Sequence, residues 1–183
     1  MTGRPRTFDR DAALAVAVEQ FWREGYEKTS VAKLTAAMGL SPPSLYAAFG
    51  DKHRLFEEAS AAYFRRTCDA VDRATALPNT RDSVARMLED TALAHTDDTT
   101  PPGCLMLTEA RLVAQREDLH RRIRERLDQG VQDGDLETSV HTDHLASFLV
   151  TVMRGMSGLA RDGGTTEELL SIADTAMAAF PSQ

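Results

Sequence analysis

The segment of residues 30–56 constrains the fold more than any other part of the chain, because its helical pattern breaks sharply in the middle. It reads SVAKLTAAMGLSPPSLYAAFGDKHRLF, with apolar helical spacing before Gly39 and again after Ser41. Gly39 supplies the positive-φ turn residue that a bulky side chain resists. Ser41 is suited to capping the next helix, and Pro42 fits the first turn, where its missing N–H would be unpaired in any case. The pattern predicts two short helices joined by a tight turn.

Helical periodicity also covers most of the remaining chain, and no period-two strand pattern interrupts it. The spacing predicts an all-α fold of about nine helices, at 9–25, 30–38, 42–49, 51–75, 81–96, 104–115, 117–133, 141–162 and 166–180. Gly25 is expected to end the first helix and Thr80 to cap the fifth. The sequence DDTTPPG, at 97–103, is a polar and proline-rich stretch that predicts a loop.

Composition and motifs narrow the class of protein. The chain of 183 residues has no run of about 18 or more apolar residues, so neither a transmembrane helix nor a membrane partner is expected. Its two cysteines, Cys68 and Cys104, cannot form a disulfide framework, which favours a reducing cytoplasm. No catalytic, phosphate-loop or dinucleotide motif is present, so we expect neither an enzyme nor a bound cofactor.

Charge is distributed unevenly along the chain, although the net charge is −7. Residues 1–66 carry ten Lys/Arg and eight Asp/Glu, a balance of +2, and residues 67–183 carry eleven and twenty, a balance of −9. Arg4, Arg6 and Arg10 make the N-terminus basic. The asymmetry is compatible with one phosphate-binding end and one acidic end.

The second of the two short helices has the properties of a DNA-reading element. Its predicted apolar face leaves Pro43, Ser44 and Tyr46 on the opposite side, where a helix start could enter a major groove. Thr29 and Ser30 precede a helix whose free amides could meet a phosphate. The Tyr46 hydroxyl and the Lys52 ammonium could contact backbone oxygens as well.

These residues resemble the DNA-binding signature of TetR-type transcriptional repressors over about residues 8–60. The matching residues are Gly25, Tyr26, Thr29, Ser30, Gly39, Ser41, Leu45, Tyr46, Phe49 and Lys52. Pro43 departs from the family pattern and offers a rigid apolar surface, suited to a thymine methyl group. The residues expected to contact DNA are Arg4, Arg6, Thr29, Ser30, Lys33, Ser41, Pro42, Pro43, Ser44, Tyr46 and Lys52.

The resemblance also implies how the chain is organised and regulated. It implies a DNA-binding domain at 1–50, a connecting helix at 51–75, and a ligand-binding and dimerisation domain at 76–183. A homodimer formed through residues 141–180 would bind a palindromic double-stranded DNA operator, and a small organic effector would release it. Apolar residues on more than one face of the last two predicted helices support burial against a second chain.

Two sets of residues in the second domain leave alternatives open. Adaptable side chains that could line an effector pocket, or form plain core, are Met87, Leu88, Cys104, Met106, Leu107 and Met153. Cys104 follows Gly103 where a helix is predicted to begin, so it is either a reactive sensor of oxidants or electrophiles or a buried packing residue. His141 and His144 are spaced to share a metal ion, or they simply begin a polar helix.

Overall fold

The computed structural model describes residues 8–181, and every regular element within that range is an α-helix. The predicted all-α fold class is therefore confirmed. The nine helices of this range are α1 (Arg10–Lys28), α2 (Val31–Met38), α3 (Pro42–Phe49), α4 (Lys52–Thr75), α5 (Thr80–His95), α6 (Leu105–Thr108), α7 (Val113–Asp133), α8 (Thr142–Arg161) and α9 (Thr166–Ala178). None of these helices is long and apolar enough to cross a membrane.

The chain divides into two compact units, and the boundary between Tyr63 and Phe64 lies inside α4. In the N-terminal unit, α2 packs against both α1 and α3. Four helical segments contribute to its core, in which the most deeply buried apolar side chains are Ala17, Phe21, Leu34, Leu45, Leu55, Phe56 and Ala59. Burial of these apolar surfaces is the main force that holds the short helices in place.

Gly25 changes the direction of the chain near the end of α1. Its φ of 77° and ψ of 171° form a conformation that residues with a Cβ rarely adopt. The prediction that Gly25 ends the helix is only partly right, because a further helical turn runs on to Lys28. The kink places Tyr26 against Phe21 and Phe56, whose ring centroids lie 6.2 and 4.9 Å from its own.

In the C-terminal unit, α5 packs against α8 and α9, and α7 packs against α8. Arg126 of α7 ties the segment before α5 to this bundle. Its guanidinium donates to the Thr80 hydroxyl at 2.7 Å and to the carbonyls of Leu77 and Pro78 at 3.1 and 3.0 Å. These bonds satisfy a cation whose side chain is only 9% exposed.

The continuous helix predicted at 104–115 is wrong, because the chain is not helical between the end of α6 at Thr108 and the start of α7 at Val113. Glu109 is extended, with φ −76° and ψ 121°. The Arg116 guanidinium donates to the carbonyls of Met106, Glu109 and Ala110. It thereby satisfies acceptors that a continuous helix would pair with backbone amides.

Two further boundaries differ from the prediction. Helix α7 begins at Val113, four residues before the predicted start. The N-cap of α5 is Asn79, whose side chain accepts from the Asp82 amide, and not Thr80. The Thr80 hydroxyl instead donates to Asp135 at 2.9 Å, a partner 55 residues away that local sequence does not indicate.

Candidate nucleic-acid interface

The start of α3 is rigid and faces solvent. The Ser41 hydroxyl accepts a hydrogen bond from the Ser44 amide at 3.3 Å and lies 2.9 Å from the Ser44 hydroxyl. Pro42 occupies the first helical turn, where its fixed φ suits the helix and no hydrogen bond is lost. Pro42 and Pro43 are both exposed. This end of α3 therefore presents two pyrrolidine rings and a pair of coupled hydroxyls.

The two faces of α3 separate packing from exposure. Leu45 and Phe49 are buried, at 0% and 5% exposure, and hold the helix on the unit. Tyr46 is 49% exposed, an unusual state for a large aromatic side chain. Because a phenol hydroxyl donates well to phosphate oxygens, Tyr46 has the exposure and the chemistry that a backbone contact requires.

The start of α2 offers its backbone but only one of its two predicted side chains. Thr29 is fully buried, and its hydroxyl donates to the carbonyl of Gly25 at 2.7 Å. That bond leaves the Thr29 side chain no role at a phosphate, and only its main chain is near the helix end. Ser30 is exposed, and its hydroxyl caps α2 by accepting from the Lys33 amide at 3.2 Å.

The two predicted lysines have different neighbours. The Lys33 ammonium forms an ion pair with the Glu24 carboxylate. The Lys52 ammonium lies 4.1 Å from the centroid of the Tyr26 ring, at the first residue of α4. Within the described chain Lys52 makes no ion pair, so its charge is not neutralised by a carboxylate.

Arg10 has a structural role in this unit that the sequence did not reveal. Its guanidinium forms a bidentate ion pair with the Glu58 carboxylate of α4, with N···O distances of 2.6 and 2.7 Å. This hydrogen-bonded pair raises the pKa of Arg10. The same group donates to the Ala48 carbonyl at 3.3 Å and lies 4.5 Å from the centroid of the Phe49 ring. Arg10 therefore joins α1, the end of α3 and α4. From the sequence, Arg10 is interpreted only as part of a basic N-terminus. Arg4 and Arg6, the other two arginines of that group, lie outside the described residues.

The six residues predicted for an effector pocket are all buried in the C-terminal unit. Met87, Leu88, Cys104, Met106, Leu107 and Met153 are each at most 4% exposed. None of them lines the surface depression of about 680 Å³ in this unit, whose wall includes Arg73, Arg86, Asp90 and Leu93. In this structure the six side chains are core.

The two cysteines are not joined by a disulfide, and both are buried. Cys104 precedes the short α6, and its backbone amide donates to the Ser157 hydroxyl at 2.8 Å. Burial raises the pKa of the Cys68 thiol, which disfavours its reactive thiolate. The setting of both cysteines favours packing over sensing.

His141 and His144 lie with ring centroids 5.3 Å apart at the start of α8, and both are exposed. Within residues 8–181, no group of three or more His, Cys, Asp or Glu side chains is arranged to hold a metal ion.

A helix-turn-helix with an exposed recognition helix, followed by a larger helical unit, defines a class of DNA-binding transcriptional regulators. Residues 13–59 match the family model described as "Bacterial regulatory proteins, tetR family". The HTH-type transcriptional repressor ComR of Escherichia coli (strain K12) is 35% identical, over 98% of this chain and 92% of ComR. The repressor BdcR of the same organism is 30% identical, over 93% of this chain and 88% of BdcR.

Solved structures agree. A cysteine mutant of the TetR family transcriptional regulator CifR, complexed with 26-bp double-strand operator DNA, is 41% identical with a TM-score of 0.90. The match covers 98% of this chain and 100% of that one. A TetR regulator from Chloroflexus aurantiacus J-10-FL shares the fold, with a TM-score of 0.82 at 22% identity, over 92% of each chain. The chain belongs to the TetR family and is a DNA-binding transcriptional regulator, of the repressor type that its relatives represent.

Proposed function

We propose that the chain acts as a homodimer in which each α3 reads one half-site of a palindromic operator. The observation that carries this proposal is the start of α3, whose capped and proline-stiffened end is exposed to solvent. The same unit carries the Lys52 ammonium, which no carboxylate of the described residues neutralises. The complex of CifR with operator DNA supports the same mode of binding, because CifR is similar along the whole chain.

The proposed contacts fall into two groups. Positioning contacts to phosphate involve the main chain at Thr29 and Ser30, the Tyr46 hydroxyl and Lys52, with Arg4, Arg6 and Lys33 as further basic contacts. Base reading falls to the α3 start, at Ser41, Pro42, Pro43 and Ser44. Pro43 cannot donate a backbone hydrogen bond, so it suits a thymine methyl group.

Dimerisation is proposed through α8 and α9, within residues 141–180. One face of α8 carries His144, Phe148, Thr151, Gly155 and Gly158, spaced alternately by four and three residues as at a helix–helix seam. Phe148 is 40% exposed in the single chain. A Cβ added to Gly155 or Gly158 would meet nothing within 4 Å, so the packing of one chain does not require glycine at either position. Close approach of a second copy gives a reason for both.

Release of DNA is proposed to follow binding of a small organic effector in the C-terminal unit. The effector must bind more tightly to the state that fails to match the operator, or it shifts nothing. Helix α4 is continuous across the unit boundary and is the covalent route between effector and α3. In the C-terminal unit, Arg122 of α7 holds Asp72 of α4 by bonds of 2.7 and 3.0 Å, so movement of α7 would be felt by α4.

A cytoplasmic location completes the proposal, because the operator is there and two unbridged cysteines suit a reducing compartment.

The test is to select bound duplexes from a random DNA pool with the purified protein and to measure its mass in solution by light scattering. We expect a dimer that enriches a palindrome whose half-sites lie roughly one helical turn, about 34–36 Å, apart. A monomer that enriches no palindrome would contradict the proposal. Screening metabolites and antimicrobial compounds for loss of binding to the enriched site then tests effector release.

A further inference from the structure

The Tyr26 ring is held in place from several sides. Phe21 stacks on it with an interplanar angle of 15°, and Phe56 meets it edge to face with centroids 4.9 Å apart. His53 approaches at 6.3 Å, again edge to face. The kink at Gly25 delivers Tyr26 to this position. The ring is therefore a fixed surface, and the Lys52 ammonium lies 4.1 Å from its centroid.

A cation that pairs with a carboxylate has its charge compensated, whereas a cation held by the face of an aromatic ring does not. Three other cations of this unit, Arg10, Arg23 and Lys33, pair with Glu58, Glu19 and Glu24, so their charges are compensated. The negative face of an aromatic ring attracts an ammonium without carrying a net charge. Lys52 is thus restrained while its full positive charge stays available to an anion.

The position of Lys52 also calls for such support. As the first residue of α4, its ammonium lies at the positive end of the helix dipole, which disfavours a cation in the free protein. When a phosphate arrives, the Lys52 ammonium attracts it, and the positive end of the helix dipole adds to that attraction. A ring that holds the ammonium beforehand reduces the side-chain ordering that binding would otherwise require.

We propose that Tyr26 is a positioning residue for DNA binding, whose ring face holds the Lys52 ammonium ready for a backbone phosphate. The inference rests on the proposed function, in which Lys52 contacts DNA. Tyr26 acts through Lys52 and not by its own contact with DNA.

A double-mutant cycle on the full-length protein tests this role, with operator affinity measured by fluorescence anisotropy at several salt concentrations. The variants are Tyr26→Leu, Lys52→Met and the double variant, with Tyr26→Phe as the matched control that keeps the ring. We expect Tyr26→Leu to weaken operator binding about two- to fivefold and Tyr26→Phe to change it less than about twofold. In the Lys52→Met background, Tyr26→Leu should cause no further loss.

The outcomes separate the possible failures. An equal loss from Tyr26→Leu in both backgrounds would mean that the ring merely stabilises the unit, and would overturn the inference alone. A Tyr26→Phe loss as large as that of Tyr26→Leu would assign the effect to the hydroxyl and overturn it too. If Lys52→Met binds like wild type at every salt concentration, the phosphate contact in the proposed function fails together with the inference.

Discussion

At the scale of single residues, the surroundings of a side chain decide whether it is available to DNA. Thr29 and Ser30 are neighbours of similar chemistry, yet the Thr29 hydroxyl is buried in a bond to the Gly25 carbonyl and Ser30 is exposed. Lys33 and Lys52 differ in the same way, since Lys33 pairs with Glu24 and Lys52 makes no ion pair within the part of the chain that the structure describes. Residue type and spacing cannot show such partners, because they come from elsewhere in the fold.

Substitutions at Lys52 and at Ser44 should therefore affect DNA binding in different ways. Lys52→Met should weaken binding to all DNA sequences alike and lower the salt slope by roughly one unit, because one phosphate contact is lost. Ser44→Ala should alter preference at one base position, by about 1–3 kcal/mol. Titrations of the operator, its single-base variants and random DNA over a range of salt check both. Lys33→Met is the matched control and should have the smaller effect, since Lys33 must leave Glu24 to reach DNA.

Buried His95 makes the stability of the C-terminal unit depend on pH. Burial, with the nearby Arg161 charge, lowers the pKa of His95 to about 4. Among the described residues, the His95 Nδ1 has no hydrogen-bond partner. In the unfolded chain the ordinary pKa is about 6.5, so between these values the unfolded state binds the extra proton. The contribution of His95 to stability is complete above about pH 6.5 and is lost as pH falls towards 4.

Between pH 7.5 and pH 5, the free energy of unfolding should fall by about 2 kcal/mol through His95 alone. Urea unfolding of wild type and His95→Leu at both pH values, at equal protein concentration, isolates this share. Between these two pH values, the free energy of unfolding of His95→Leu should fall by about 2 kcal/mol less than that of wild type. Equal losses in the two proteins would show that His95 is not held neutral by the fold.

At the scale of helices, the recognition helix depends on a contact made by α1. Arg10 binds the Ala48 carbonyl in the last turn of α3, lies over Phe49, and is anchored by Glu58. Arg10→Ala should lower the melting temperature and weaken operator binding, because the end of α3 loses its bracing. Arg23→Ala removes a similar exposed ion pair, to Glu19 within α1, and should leave both nearly unchanged. Thermal unfolding and operator titration of the two variants check the contrast.

Glu58→Gln should reproduce part of the Arg10→Ala effect. If Arg10→Ala and Arg23→Ala behave alike, the contact does not brace α3.

Helices were predictable from sequence where local chemistry decides them. Ser41 and the two prolines define the start of α3, and the range 42–49 coincides with the structure because cap, turn and apolar face agree. The helix predicted at 104–115 was wrong because the Arg116 side chain donates to three backbone carbonyls in this segment. The spacing of apolar residues does not indicate such side-chain bonds. The ion pair of Arg10 with Glu58 could not be predicted for the same reason, because the two residues are 48 positions apart in the sequence.

At the scale of the whole molecule, charge and symmetry set how the protein can meet DNA. The first 66 residues carry a balance of +2 and the remainder −9. The acidic remainder repels phosphate and favours encounters in which the N-terminal unit leads. A palindromic operator further requires two such units related by a two-fold axis. The proposed α8 face is therefore as necessary to recognition as α3.

Gly155 offers a test in which a monomer and a dimer respond in opposite directions. Within one chain a Cβ added at this position meets nothing within 4 Å. Replacing a mid-helix glycine by leucine should therefore stabilise a monomer by about 1 kcal/mol. In the proposed dimer, Gly155→Leu places a bulky side chain where the second copy approaches and should yield monomers that bind the operator weakly. Light scattering and operator titration read both effects, with Ala114→Leu, an exposed substitution on α7, as the control that should remain dimeric. A Gly155→Leu protein that is more stable, still dimeric and fully active would move the dimer interface away from this face of α8.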